Sequence, residues 1–141
     1  MRFMVITKAT AQSEAGVMPA TEDFETMGAF IGELVDAGVL LAAEGLMPSS
    51  TGARIYVDGE EKTVVDGPFA ETKELIAGFF LVEMASLEEC VEWFKRCPVQ
   101  SGERTNLEIR RVPQAEDFGE SFTTEQQEAV EQRRAQAAAQ R

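Results

Sequence analysis

The chain has 141 residues, 44% hydrophobic and 27% charged, with a net charge of −12 and no histidine. That length suits one domain with a real core, and the acidity argues against a surface built for phosphate backbones, so no nucleic-acid binding is expected. The missing histidine removes Ser-His-Asp and Cys-His nucleophile activation, imidazole acid–base work and most zinc sites.

The acidity is spread out: residues 1–113 hold 10 Lys or Arg against 19 Asp or Glu, and the remainder adds −3. A basic protein partner or a cationic ligand fits such a surface, as does plain solubility. No stretch approaches the apolar length of a membrane span. The first residues meet Lys8 too soon to form a signal peptide, so a cytoplasmic location is the default.

Arg2 to Thr7 reads as a strand, followed by a polar loop from Lys8 to Ala20. Thr21 is a suitable N-cap, with Glu22 and Asp23 near the positive end of a helix. Phe24, Met27, Phe30, Ile31, Leu34 and Val35 form one apolar stripe at helical spacing, which Gly38 closes. Val39 to Leu46 is apolar on both faces and predicts a central strand, its small Ala42, Ala43 and Gly45 leaving room for close packing. A turn-rich connection leads to Arg54–Val57 and Glu61–Val65, which flank Asp58-Gly59 as a hairpin.

Asp66-Gly67-Pro68 then makes a rigid turn, and Glu71, Thr72, Lys73 and Glu74 place four polar groups in a row. The next strand runs from Ile76 to Met84, with Ile76, Gly78, Phe80, Val82 and Met84 on one side and Ala77, Phe79 and Leu81 on the other. Ser86 and Glu89 spell a capping box for a second helix whose apolar face is Leu87, Cys90, Val91 and Phe94, with Pro98 marking its end. If Cys90 and Cys97 share that helix, they lie about 10 Å apart along its axis, beyond the roughly 7 Å limit for bridged Cα atoms. Free thiols are expected.

Asn106 to Val112 is the last strand. The remainder, 114–141, is rich in Gln, Ala, Glu and Arg and reads as a helical extension, with Phe118 and Phe122 as anchors for its start, or as a solvated tail. The order β-α-β, hairpin, β-α-β predicts an α+β fold: a ferredoxin-like antiparallel sheet with two helices on one face. The central strands are apolar on both sides, so the uncovered face calls for a second surface. An identical subunit is the economical choice, giving a homodimer.

A polar loop between a turn and a buried strand is a natural place for a pocket. Asp66 is the candidate catalytic residue, as a general base, or else accepts hydrogen bonds from its own turn. Lys73 is suited to an anionic ligand, to nucleophilic work if desolvated, or to a salt bridge with Glu71 or Glu74. Glu44, at the end of an apolar strand, is either a functional acid or the partner of Arg54 or Lys73. With Phe69, these residues (Glu44, Arg54, Asp66, Phe69 and Lys73) are the expected ligand-binding set. Ser49, Ser50 and Thr51 serve a ligand or simply their loop, and Trp93 packs against the body or a partner. No Walker motif, dinucleotide fingerprint or metal-ligand spacing occurs, so no cofactor and no metal are expected.

The run Asp66-Gly67-Pro68-Phe69-Ala70-Glu71-Thr72-Lys73-Glu74 also resembles the signature of the DGPF subgroup of YCII-related proteins. Leu40 to Leu46 with Pro48, Gly78-Phe79-Phe80, Cys97-Pro98 and Glu108-Ile109-Arg110 follow in the order that family shows, over about 1–113. The resemblance implies a dimeric α/β barrel made of two ferredoxin-like subunits with a cleft beside the sheet. Some YCII-related proteins carry a His-Asp pair there; this chain keeps Asp66 and has no His. Proximity of such genes to those of extracytoplasmic-function sigma factors implies a regulatory connection. The reading is a small-ligand-binding or regulatory homodimer acting through a protein partner. The alternative is an enzyme with carboxylate and lysine chemistry, and a third possibility is a structural dimer whose tail recruits a partner.

Overall fold

The computed structural model describes residues 1–70, 74–99 and 104–141. The chain falls into two compact units, Met1–Arg111 and Val112–Arg141. In the first, strand β1 (Arg2–Lys8) is followed by one helical turn, α1 (Ala11–Glu14), and a long helix, α2 (Thr21–Asp36). Strand β2 (Leu40–Gly45), a hairpin of β3 (Ala53–Asp58) and β4 (Glu61–Asp66), strand β5 (Ile76–Glu83), helix α3 (Leu87–Phe94) and strand β6 (Leu107–Arg111) complete it. The second unit holds helix α4 (Thr124–Ala139).

Four strands form one antiparallel sheet in the order β2-β5-β1-β6, the ferredoxin-like arrangement with the hairpin inserted between its second and third strands. The expected central strand from Val39 to Leu46 is therefore an edge strand. Its apolar residues on both faces reflect packing of Leu40 and Ala43 toward the helices, while Leu41 is exposed.

Strand alternation decides what is buried. Phe3 and Val5 of β1 and Phe80 and Val82 of β5 point to the helices, where Phe30 and Leu34 of α2 and Cys90 and Phe94 of α3 meet them. Phe30, Phe80 and Phe94 form an edge-to-face triangle with centroids 5.1–6.1 Å apart, the arrangement ring quadrupoles favour. Across the other face the register sets Phe79 opposite Ile6 and Leu81 opposite Met4, and these four are half-buried.

The α2 stripe is narrower than its spacing predicts. Phe30 and Leu34 are buried, but Phe24 is 60% exposed and Val35 57%. The cap also differs from expectation: Ala20 is the N-cap and Thr21 the first helical residue, because the Asp23 carboxylate accepts the Ala20 N–H at 2.9 Å. The segment expected as a loop from Lys8 to Ala20 contains α1, started by a reciprocal box in which Ser13 N–H donates to Thr10 Oγ1 and Thr10 N–H to Ser13 Oγ. In α3 only half of the expected box forms: Glu89 N–H donates to Ser86 Oγ at 3.1 Å, but the Glu89 carboxylate accepts from Ala85 N–H rather than from Ser86 N–H.

The hairpin stands as its own two-stranded sheet, turning at Gly59 with φ +62°, and all its residues are exposed. Gly78 is needed by packing: a Cβ there would lie 2.7 Å from the Glu44 carbonyl oxygen, so the backbone that approaches it is β2. Both cysteines are buried free thiols. Trp93 packs against the core with the Arg96 guanidinium 4.6 Å over its ring. In the second unit, Thr123 caps α4 and Phe118 and Phe122 pair edge-to-face at 5.6 Å.

Candidate functional site

The turn at Asp66 is built from three segments. Gly67 N–H donates to the Gly52 carbonyl at 2.9 Å, and the Gly67–Pro68 peptide is cis. Phe69 N–H donates to Ser49 Oγ at 3.0 Å. Ser49 in turn donates its hydroxyl to Glu14 Oε2 at 2.5 Å and its N–H to Glu14 Oε1 at 3.0 Å. A carboxylate on α1 thus fixes the loop before β3, and that loop fixes the turn after β4. Gly67 has no room for a side chain, since a Cβ would fall 1.7 Å from the Ser49 carbonyl oxygen.

Of the expected site residues, the structure joins Arg54 and Phe69: the guanidinium lies 3.9 Å over the ring centroid, a cation–π contact. Asp66 is exposed and pairs opposite Ala53 in the hairpin. Among the described residues its carboxylate takes no part in the turn's hydrogen bonds, which Ser49 and Gly52 supply. Glu44 is also exposed, opposite Phe79, rather than at a buried strand end. No ion pair links Glu44 to Arg54 among the described residues. Lys73, with Glu71 and Thr72, lies outside the described residues.

A cavity of about 400 Å³ opens elsewhere, where the end of β1 meets α1, the first turns of α2 and the segments flanking β6. Phe24, Met27, Pro19, Val99 and Leu107 supply its apolar walls. Thr7, Thr26, Thr105 and Asn106 add hydroxyl and amide groups, and Lys8 and Asp23 are its charged residues. None of Glu44, Arg54, Asp66 or Phe69 lines it.

The local chain explains this room. The register slips between Thr7 and Lys8, so Lys8 faces Ile76 and its ammonium bridges to Glu108 Oε1 on β6 at 2.9 Å. Glu108 also accepts from Arg110 at 3.4 Å, and the Lys8 hydrogen bond and charge, then Arg110, hold its carboxyl below the usual range. Reading from sequence missed the cavity. Its only written signals were the hydroxyls Thr7, Thr10 and Ser13 around Lys8, and Phe24, which periodicity assigned to the core.

The other reactive groups are quiet. Burial pushes the Cys90 and Cys97 thiols up to about 11, aided at Cys90 by Glu89, which suppresses the nucleophilic thiolate. Among the described residues no cluster of three or more Cys, Asp or Glu is placed to hold a metal ion, and no helix is long and apolar enough to cross a membrane.

Comparison with known proteins matches residues 1–113 to the YCII-related domain. An uncharacterized protein of Rhizobium meliloti (strain 1021) is 36% identical over 76 residues, 54% of this chain and 61% of that protein, so the chain spans only part of that relative. The structure of 5-chloro-2-hydroxyhydroquinone dehydrochlorinase from Burkholderia phenoliruptrix AC1100, complexed with 2,5-dihydroxybenzoquinone, aligns with TM-score 0.40 at 13% identity. That alignment covers 80% of this chain and 94% of the other, and a likeness at that level carries no argument about chemistry.

Proposed function

The chain belongs to the YCII-related family across residues 1–113, and from that premise we propose a ligand-binding, regulatory homodimer whose ligand occupies the cavity beside α2. The cavity is the observation that carries this reading. Its volume of about 400 Å³ lies in the range of small-molecule sites, and apolar walls with a few polar groups are how such sites orient a ligand. Phe24, a large aromatic that is 60% exposed, stands on the wall of that cavity.

Homodimerisation is supported by the uncovered apolar surface. The hairpin exposes Ile55, Val57 and Val64 on one of its faces by register, and a lone two-stranded hairpin is marginal in water. A basic protein partner suits the net charge of −12, which keeps a link to sigma-factor signalling within the proposal. Residues 114–141 are the natural arm for such a partner. The enzyme alternative would use Asp66 and Glu44 as its carboxylates, and neither lines the cavity.

Thermal-shift screening against a metabolite library tests the proposal. Hits should stabilise the wild-type chain and lose their effect in Met27→Trp, which fills the cavity, and in Phe24→Ala, which removes its aromatic wall. Hits that are indifferent to both variants, or a library with none, would contradict it.

A further inference from the structure

Resting on the reading of the cavity as a ligand site, we infer that it selects uncharged amphipathic molecules over carboxylates, and that Glu108 sets this preference without lining the cavity. Lys8 is the one cation lining the cavity among the described residues. Its side chain is only 15% exposed, and its ammonium sits 2.9 Å from Glu108 Oε1. Glu108 belongs to the neighbouring strand β6, opposite Ile6, and is absent from the cavity walls. The lysine charge is therefore turned toward the sheet and neutralised before a ligand arrives.

The other charged wall residue works in the same direction. Asp23 also lines the cavity; its carboxylate accepts the Ala20 N–H at 2.9 Å and offers a ligand carboxylate no hydrogen-bond donor. A ligand carboxylate would have to displace Glu108 from Lys8, and Arg110 at 3.4 Å adds a second tie on the same glutamate.

What the walls present to a ligand is apolar surface from Phe24, Met27 and Leu107, with hydroxyls at Thr7 and Thr105 and the Asn106 amide. Thr26 donates its hydroxyl to the Glu22 carbonyl at 2.8 Å and so acts toward a ligand as an acceptor. The matching chemistry is an apolar ring or chain bearing hydroxyl or carbonyl groups in place of a carboxylate.

The test uses a matched pair, 2-naphthol and 2-naphthoate, titrated calorimetrically into the full-length protein at neutral pH. The wild type should bind the naphthol at least about tenfold more tightly than the naphthoate, the scale of one charge-assisted hydrogen bond. Glu108→Gln should release Lys8 and bring the naphthoate to parity or better, leaving the naphthol affinity within about twofold. The double variant Lys8→Met/Glu108→Gln should restore rejection of the naphthoate. Naphthoate binding as tightly as naphthol to the wild type overturns the charge preference and leaves the site standing. Equal changes for both probes in Glu108→Gln reduce Glu108 to a structural role and overturn its assignment. If neither probe binds, the site reading itself fails and the inference falls with it.

Discussion

At the scale of single residues, Ser49 is where the loops around the Asp66 turn are joined. Its hydroxyl donates to Glu14 and accepts from Phe69 N–H, so Ser49→Ala leaves two polar groups without that partner. Urea unfolding should show a loss of about 1–3 kcal/mol. Gly67→Ala should cost more than about 2 kcal/mol, since its Cβ would meet the Ser49 backbone at 1.7 Å, whereas Gly52→Ala meets only an ordinary 3.6 Å contact and should be near neutral. The thiols give a pH dependence of definite sign. With folded values raised from 9.0 to about 11, their contribution to stability is complete below 9 and is lost as pH rises toward 11. A Cys90→Ala/Cys97→Ala variant should lose that alkaline slope, and the native thiols should label slowly at neutral pH.

At the scale of elements, what the sequence made legible was local. The Ser86 cap of α3 is a local pattern whose physics needs nothing distant, and it forms, though the Glu89 carboxylate turns to Ala85 N–H instead of closing the box; Ser86→Ala should lower stability by about 1 kcal/mol, read by thermal melting. The hairpin at Asp58-Gly59 is equally local. Placement in the sheet is another matter: an apolar strand covered by helices and an edge strand touching them look alike in sequence, and β2 proved to be the edge. Helical periodicity could not separate Phe30, which enters the core, from Phe24, which stands exposed at the cavity. The one-turn α1 has too few apolar residues for any period, yet it carries both Ser13 on the cavity wall and Glu14 on Ser49. The candidate site was only partly legible, because a cavity arises from elements distant in sequence while a nine-residue motif announces itself.

At the scale of the whole molecule, the turn at Asp66-Gly67-Pro68 is a joint between loops, and the proposed ligand site lies beside α2. The proposed homodimer draws on the exposed apolar residues of the hairpin and should respond to charge: Ile55→Asp with Val64→Asp should convert a dimer to a monomer in sedimentation, without changing far-UV dichroism. A monomeric wild type would remove that part of the proposal. The central claim is that the cavity is the ligand site, and a backbone-amide NMR titration of the wild-type chain with 2-naphthol tests it most directly. Shifts at Thr7, Met27, Thr105 and Leu107, with Arg54 and Phe69 unmoved, are the predicted result. Shifts centred on the turn at Asp66 and Phe69, or none at all, would contradict it.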